Sequence, residues 1–310
     1  MLDINRLRAL HAVAVHGSIT GAAAALGFTP SAVSQQIAKL ERETHTALLE
    51  RHARHVTLTP AAETLVEAAR QVTALLEQAE SRLETQRQVP FGTMKLAAFP
   101  TACRSLIPPM LAELGRLHNS LDCRLLEADP SSALGLVAEG EIDMAIVHDW
   151  HNVPLMVPGG LATYEIGEDV GDVLLHADHP LADRPRLDVG DLMGLRWISH
   201  SPGAMCHSWL ERTFTDRGLP VDVAYHVEEF QSQIALLAAG VGAALVPRLG
   251  RGPLPHNVRA IPLDPAPGRR IYAVWRRQAG SRPSIRAALT LLRDLAEGLD
   301  ENVMARPACA

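Results

Sequence analysis

A single stretch near the N-terminus decides the fold, and it runs Thr29-Pro30-Ser31-Ala32-Val33-Ser34-Gln35-Gln36-Ile37-Ala38-Lys39-Leu40-Glu41-Arg42. Thr29 has the hydroxyl of a good helix N-cap, and Pro30 suits the first helical position. Val33, Ile37 and Leu40 have the spacing of a buried helical stripe. The stretch therefore predicts a short helix that begins after Thr29 and packs along one side.

The opposite face of this helix is small, polar and cationic. It has no carboxylate, and its members are Ser31, Ser34, Gln35, Ala38, Arg42 and, at the edge, Lys39. Serine and glutamine can hydrogen-bond base edges in a major groove, while lysine and arginine contact phosphates. In isolation the face is more typical of an ordinary solvated helix, so the flanking segments decide its interpretation.

The preceding residues predict two further helices. Apolar residues at helical spacing favour a helix over 4–16, which Gly17 ends. Ser18 can cap a short second helix to Leu26, and Gly27-Phe28 make a tight turn into the Thr29 helix. Two helices joined by a short turn that contains glycine form a helix-turn-helix.

The residues after this motif predict a wing. Leu48 to Arg51 and His55 to Leu58 can pair as two short strands, with 52–54 as the tip, so Arg51 and Arg54 are placed to contact phosphate or a minor groove. The sequence thus predicts a winged helix-turn-helix with DNA contacts from Thr29, Pro30, Ser31, Ser34, Gln35, Lys39, Arg42, Arg51 and Arg54.

A long helix follows the wing. Thr59-Pro60 repeats the cap-then-proline signal, and the next proline or glycine is Pro90. Between them, apolar residues alternate four- and three-residue steps, as in a heptad seam, at Leu65, Ala69, Val72, Leu76, Ala79 and Leu83. A helix of about 28 residues would be roughly 40 Å long. Packing on its own chain is one interpretation; we favour a dimerisation helix, since a helix-turn-helix dimer must hold one half-site spacing.

From Pro90 onwards the pattern changes to strands that alternate with helices. Alternating βα units predict open, mostly parallel sheets with ligands at the carboxyl ends of the strands. The fold class is therefore α/β and multi-domain, with a loose tail from 299 to 310.

Composition bounds the function without deciding it. The formal net charge is −6, but residues 1–60 hold six basic and four acidic residues, which gives weak support for DNA binding. The four cysteines are widely spaced, without a metal-ligand cluster, and fit structural thiols in a reducing cytosol better than a redox sensor. The N-terminus lacks a signal pattern, and no apolar run approaches a membrane-spanning length, so a cytoplasmic location is expected.

An enzyme and a pure binding module are the alternatives. There is no G-x-S-x-G elbow, and Gly240-Val241-Gly242 enters a strand, the reverse of a dinucleotide-binding turn. The pairs His148/His151 and His176/His179 lack a convincing third metal ligand. A solute-binding module explains 93–297 but leaves the first 90 residues unexplained. The sequence therefore predicts no catalytic residues, metal or cofactor, and favours a DNA-binding protein over both alternatives.

Together these segments resemble the LysR-type transcriptional regulators over nearly the whole chain. The most specific matching residues are Leu7, 17–20, Ala22-Ala23, Leu26, 30–37, Leu40-Glu41, 48–51 and Leu58-Thr59. Shorter matches follow in the family's order at 140–146, 179–182 and 239–247. Three positions depart from the family pattern: His45 stands where glycine is usual, Leu49 where phenylalanine is usual, and Gln35 where arginine is frequent.

The resemblance implies a domain organisation and partners. It implies a DNA-binding domain in 1–59, a linker helix in 60–89, a first effector lobe in 93–165 plus 268–298, a second lobe in 166–267, and a flexible tail in 299–310. The two lobes would resemble a periplasmic binding protein. The expected partners are promoter or operator DNA, a small-molecule effector, a second or further copies in a homodimer or homotetramer, and RNA polymerase, with no membrane.

By analogy with the family, the effector would bind between the lobes. Helix amides after Pro100 and the Thr101 hydroxyl could bind an anion, while carboxylates would suit an effector with an amine, such as an amino acid. Each candidate is about equally compatible with a structural role, because its placement rests on analogy. The candidates are Thr101, Ala102, Arg104, Asp129, Ser131, His148, Asp149, His200, Ser201, Glu229 and Phe230.

Overall fold

A computed structural model describes residues 2–51, 56–299 and 304–305. The chain folds into two compact units, Met1–Leu83 and Glu84–Ala310. In the described residues, no helix is both long enough and apolar enough to cross a bilayer.

The first unit is the predicted winged helix-turn-helix. Its elements are α1 (Ile4–His16), α2 (Ile19–Leu26), α3 (Pro30–Thr44), β1 (Leu49–Arg51), β2 (Val56–Leu58) and the start of α4 (Pro60–Arg87). β1 and β2 pair antiparallel. The stripe of Val33, Ile37 and Leu40 is buried against α1 and α2, which confirms the predicted packing side of α3.

Caps fix the ends of these helices. Ser18 Oγ accepts from the Gly21 N–H at 3.0 Å, and Thr29 Oγ1 accepts from the Ala32 N–H at 3.2 Å. Gly17 and Gly27 end α1 and α2 in the left-handed conformation. His45 ends α3 in the same left-handed conformation, with φ 51°. Glycine is the residue usually preferred at such a cap.

Only the first part of the seam on α4 is covered within the first unit. Leu65 and Ala69 pack into the helix-turn-helix core. Leu76 and Leu83, further along, are 49% and 61% exposed. The last residues of α4, from Glu84, belong to the second unit.

The second unit has two lobes around one long strand. Its strands are β3 (Gly92–Ala98), β4 (Leu121–Glu127), β5 (Met144–His148), β6 (Leu161–His176), β7 (Leu187–Asp188), β8 (Arg196–Ser199), β9 (Asp222–His226), β10 (Ala244–Pro247), β11 (Val258–Asp264), β12 (Gly268–Arg276) and β13 (Met304–Ala305). Its further helices are α5 (Pro100–Arg104), α6 (Ile107–Leu117), α7 (Pro130–Ala138), α8 (Met205–Thr215), α9 (Phe230–Ala238) and α10 (Pro283–Gly298). We call the part built on β3–β5 the first lobe and the part built on β8–β10 the second lobe.

The main sheet is mixed, so the expectation of mostly parallel sheets was wrong. Its order is β4-β3-β5-β12-β6-β11-β7, with β10 and β13 also on β6. β3 is parallel to β4 and β5, whereas β12 is antiparallel to β5 and β6. The reason is topological: the chain leaves the first lobe along β6 and returns along β12, and these strands run in opposite directions.

Helices cover both faces of the first-lobe sheet. On β5, Met144 and Ile146 pack into the core with α6 and α10, while Ala145 and Val147 pack with α7. This two-sided burial explains why β5 is continuously apolar, as central strands covered on both faces are. It also fixes the carboxyl ends of β3, β4 and β5 at one edge of the lobe.

The tail differs from its prediction at two residues. Met304 and Ala305 pair with Asp169 and Glu168 of β6 as the short strand β13. Residues 300–303 and 306–310 lie outside the described part of the chain.

Candidate functional site

The outer face of α3 is open to solvent. Ser31, Gln35, Lys39 and Arg42 are exposed, and Ser34 is half-buried at the edge of the face. Thr29 and Pro30 are exposed at the start of the helix, where the Thr29 and Ser31 hydroxyls lie 3.0 Å apart. The helix therefore presents short polar side chains at its beginning and cations in its later turns.

The carboxylates of α3 are engaged away from this face. Glu41 accepts from the Leu48 and Leu49 N–H groups at 2.9 and 3.4 Å, and Glu43 pairs with Arg6. Within the described residues, Lys39 forms no ion pair and Arg42 donates only to the Ala38 carbonyl. The face is therefore cationic even though α3 contains two glutamates.

The wing prediction is tested only in part. The antiparallel pair β1–β2 is present as expected. The side chain of Arg51 and all of Arg54 lie outside the described residues, so their DNA contacts stay predictions.

A second candidate site is a cavity of about 190 Å³ in the second unit. It lies where parallel strands of both lobes end, as expected for α/β sheets. Its lining residues follow β3, β4 and β5 in the first lobe and β8 and β9 in the second, with Arg269 from β12. They are Phe99, Pro100, Thr101, Glu127, Ala128, Asp129, Pro130, His148, His200, Ala204, Met205, Cys206, Glu228, Phe230 and Arg269.

Arg269 is the charged residue at the buried end of this cavity, with 1% exposure. It donates from Nε to Asp169 at 2.8 Å and from Nη2 to Thr101 Oγ1 at 2.7 Å. Its guanidinium carbon lies 5.1 Å from the Phe99 ring centroid and 5.7 Å from that of Trp150. These contacts fix the guanidinium against the cavity wall.

Two histidines in the lining are held neutral. Burial lowers the pKa of His148 well below its usual value, and the positive charge of Arg269 lowers it further. Burial also lowers the pKa of His200, although the Glu228 carboxylate opposes this. The Nδ1 of His148 is buried and has no hydrogen-bond partner in the described residues.

The structure brings together five of the predicted effector contacts. Thr101, Asp129, His148, His200 and Phe230 all line the cavity. Asp129 also caps α7, because its Oδ1 accepts from the Ser131 N–H at 3.0 Å. Whether these five side chains contact an effector stays a prediction.

The other six candidates lie outside the lining and have other contacts. Arg104 donates to Glu229 at 2.6 Å and to the Gly250 carbonyl at 3.0 Å, so these two predicted contacts bind each other. Asp149 pairs with Arg270 at 2.6 Å. Of the remaining three, Ala102 is buried in the first-lobe core, while Ser131 and Ser201 are exposed and donate backbone N–H groups to carboxylates.

Several lining residues were missed by sequence reasoning. Glu127 and Glu228 each end or follow a strand, a position that the same rule about carboxyl ends could have found. Arg269 gave no such signal, because it lies within the late strand β12, and only the fold brings β12 beside Thr101.

Two family models match the chain. Residues 4–63 match the bacterial regulatory helix-turn-helix protein model of the lysR family. Residues 87–297 match the LysR substrate binding domain. The matched segments include the open face of α3 and every lining residue of the cavity.

Relatives match at similar length. The probable HTH-type transcriptional regulator LrrA of Synechococcus elongatus is 29% identical over 300 residues, which cover 95% of this chain and 98% of that protein. The hydrogen peroxide-inducible genes activator of Dickeya chrysanthemi is 28% identical over 280 residues, covering 89% of this chain and 90% of that protein.

Solved structures share the fold. A full-length OxyR variant from Pseudomonas aeruginosa has a TM-score of 0.67 at 21% identity and covers 100% of this chain and 99% of its own. Full-length CbnR complexed with its target DNA has a TM-score of 0.57 at 18% identity, covering 95% of this chain and 100% of its own.

Proposed function

Because the chain belongs to the LysR family of bacterial transcriptional regulators, we propose that the outer face of α3 reads its operator and that the cavity of the second unit binds its effector. The protein is a DNA-binding regulator of transcription, and its family consists of regulators rather than enzymes.

The observation that carries the DNA-reading proposal is the cationic face of α3. Ser31, Ser34 and Gln35 lie in the first two turns of α3, and the N-terminal residues of a recognition helix are those that contact base edges. Gln35 would bind adenine in a bidentate manner. Lys39 and Arg42, which pair with no carboxylate in the described part of the chain, would contact phosphates. Arg51 and Arg54 would add wing contacts.

We further propose that the regulator works as a homodimer or homotetramer in the cytoplasm. Leu76 and Leu83 lie on the predicted seam of α4 and are exposed, which suits a helix completed by a second copy. The proposed domains keep the predicted boundaries: 1–59, 60–89, 93–165 plus 268–298, and 166–267. Contact with RNA polymerase belongs to the same proposal.

The cavity is proposed as the effector site because both lobes line it. Thr101 and His148 come from the first lobe, and His200 and Phe230 from the second. A ligand that contacts both would bind one lobe arrangement more tightly than others, and so shift their population.

A thiol signal is a weaker proposal for this chain, although one relative is named a hydrogen peroxide-inducible genes activator. Burial raises the pKa of both Cys103 and Cys206 to about 11. The thiolate, which is the reactive form, is therefore scarce at neutral pH.

The test is fluorescence anisotropy of the full-length protein on DNA from upstream of its own gene, with scrambled DNA and a salt series. Ser34→Ala/Gln35→Ala should lose about tenfold or more of the preference for native DNA, since one good base contact discriminates by about 1–3 kcal/mol. Lys39→Gln should weaken binding to both DNAs alike and lower the salt slope by about 0.9.

Arg70→Gln is the matched control, because Arg70 is an exposed cation on α4 that is paired with Glu67. It should leave both affinities unchanged. If the double variant keeps its sequence preference, α3 is not the reading element and the assignment of these residues fails.

A further inference from the structure

The inner end of the cavity is rich in hydrogen-bond donors. Arg269 uses Nε and Nη2 for Asp169 and Thr101, and within the described residues its Nη1 makes no hydrogen bond. Thr101 Oγ1 accepts from Arg269, so its own hydroxyl hydrogen remains for a ligand. His148, which is 4% exposed, adds a ring nitrogen without a partner.

The start of α8 adds positive potential at the same cavity. Its N-cap residue, Ala204, gives no side-chain hydrogen bond to the first turn. Ala204, Met205 and Cys206 all line the cavity, so the uncapped amides of this 11-residue helix border it. Uncapped amides and the helix dipole favour an anion.

The rim of the cavity has the opposite charge. Glu127, Asp129 and Glu228 line it and are exposed. A hydrogen bond from Ser201 holds the pKa of Glu228 below its usual value, so this carboxylate is ionised. His200 in the lining experiences both the positive inner end and the negative rim. Burial lowers the pKa of His200, Arg269 lowers it further, and Asp129 raises it.

We infer that the effector is a small α-amino acid, with its carboxylate toward Arg269, His148 and the start of α8, and its ammonium facing the acidic rim. The inference rests on the proposed function, because it takes the cavity to be the effector site. A simple carboxylate would place no positive charge at the three rim carboxylates, and a simple amine would leave the inner donors without an anion.

The size and walls of the cavity limit the side chain. Its volume of about 190 Å³ is below the range of about 300–1,000 Å³ typical of sites for drug-sized ligands. The remaining walls include Phe99, Met205 and Phe230, which are buried and apolar or aromatic. They suit an amino acid with a short side chain of low polarity.

The test is isothermal titration calorimetry on the full-length protein with L-alanine, L-serine and L-valine as probes. Two matched analogues remove one charge each, because N-acetyl-L-alanine lacks the ammonium and L-alaninamide lacks the carboxylate. Succinate, with two carboxylates and no ammonium, is the third comparison. We expect at least one amino acid to bind with one site per chain, and its blocked analogues to bind at least 30-fold more weakly.

Variants then test the acidic rim and the cavity itself. Asp129→Asn/Glu228→Gln should weaken amino-acid binding at least tenfold, and asparagine keeps the α7 cap. Glu113→Gln/Asp122→Asn removes two exposed carboxylates that lie outside the lining and should change nothing. Ala204→Phe fills the cavity and should abolish binding, and tryptophan fluorescence verifies that each variant is folded.

The outcomes separate this inference from the proposed function. Binding of succinate or N-acetyl-L-alanine that Ala204→Phe abolishes would keep the cavity as a ligand site and overturn the amino-acid class. Probe binding that survives Ala204→Phe would overturn the cavity itself. No binding by any of the three amino acids, or binding that is indifferent to the rim variant, overturns the inference while the DNA-binding assay stands unaffected.

Discussion

The outer face of α3 and the core of the second unit use their basic side chains in opposite ways. On the outer face of α3, Lys39 and Arg42 stand exposed without a carboxylate partner in the described residues. In the second unit arginines are paired at every depth, from the exposed Arg124 with Asp122 to the buried Arg269 with Asp169. The outer face of α3 leaves its two cations for a partner outside the chain, whereas these arginines of the second unit pair with carboxylates of their own unit.

The difference also separates what each cation contributes to stability. An exposed ion pair typically stabilises a fold by about 0–1 kcal/mol, and an unpaired surface cation by less. Breaking a buried pair costs about 3–5 kcal/mol, because one charge is left without compensation. Substitutions on the outer face of α3 should therefore change DNA binding and spare folding, and substitutions at Asp169 should lower the stability of the second unit.

The largest effect is expected from Asp169→Asn. It leaves Arg269 buried without its carboxylate, so the free energy of unfolding of the second unit should fall by about 3–5 kcal/mol. All four tryptophans, Trp150, Trp197, Trp209 and Trp275, lie in this unit. Urea unfolding followed by tryptophan fluorescence therefore reports on it alone.

The matched control is Asp122→Asn, which removes an exposed partner of Arg124 on the same unit. Its unfolding free energy should change by less than about 1 kcal/mol. Equal losses in the two variants would break the comparison, since depth of burial would then not decide the contribution of a charge.

The next effect concerns the cysteines, all of which follow the first unit. With pKa values of about 11, Cys103 and Cys206 should react with iodoacetamide about 100-fold more slowly at pH 8 than thiols of pKa 9.0. Mass spectrometry of the Cys309→Ser variant measures these rates, with Cys309 lying outside the described residues. Rapid labelling of either thiol in the folded protein would show that burial does not suppress the reactivity of that thiol.

The first unit was predictable because its signals are local. Ser18, Gly27 and Thr29 fix helix ends through contacts within a few residues, and Val33, Ile37 and Leu40 mark the buried side by spacing alone. The structure places these helices where the sequence predicted them. Even the departure at His45 was visible, because the family position usually filled by glycine indicates a left-handed cap.

The second unit was predictable in its elements and less so in its site. Five cavity residues follow strands whose ends the sequence revealed, among them Thr101 after β3 and His148 at the end of β5. Arg104 and Glu229 were also near strand or helix ends, but they bind each other. The pairing of Arg104 with Glu229, 125 positions later in the chain, produces no periodic pattern in the sequence. The contact between Arg269 and Thr101 produces none either.

A smaller effect is expected from pH. The folded protein keeps His148 neutral, whereas the unfolded chain takes up a proton near pH 6.5. The unfolded state therefore binds more protons below this pH, and stability is lost as pH falls through about 6.5. Between pH 7.5 and 5.5, His148 should account for about 1 kcal/mol of the loss in the second unit.

The measurement is the same tryptophan-monitored urea unfolding, at pH 8.5, 7.5 and 5.5, for the native protein and His148→Gln. The variant should lose less stability between pH 7.5 and 5.5, and the two proteins should show the same change between pH 8.5 and 7.5. An undiminished acid loss in the variant would assign the effect to other groups, including His200.

The smallest effect compares two left-handed residues, one in each unit: His45 with φ 51° and Gln88 with φ 57°. The left-handed conformation costs a residue with a Cβ about 1–2 kcal/mol. Glycine avoids this cost, but it loses about 0.5–1 kcal/mol more conformational entropy on folding, which offsets part of the gain. His45→Gly and Gln88→Gly should thus each stabilise their helix ends by about 0.5 kcal/mol.

Hydrogen exchange of two backbone amides measures both gains. The Thr46 amide donates to the Glu41 carbonyl, and the Gln88 amide donates to the Glu84 and Thr85 carbonyls. Equal gains with unchanged DNA affinity would make the histidine a matter of backbone strain alone. A loss of DNA affinity in His45→Gly would mean that the exposed His45 ring contributes to the DNA-reading surface. A gain at Gln88 alone would mean that the left-handed conformation of His45 does not reduce the stability of α3.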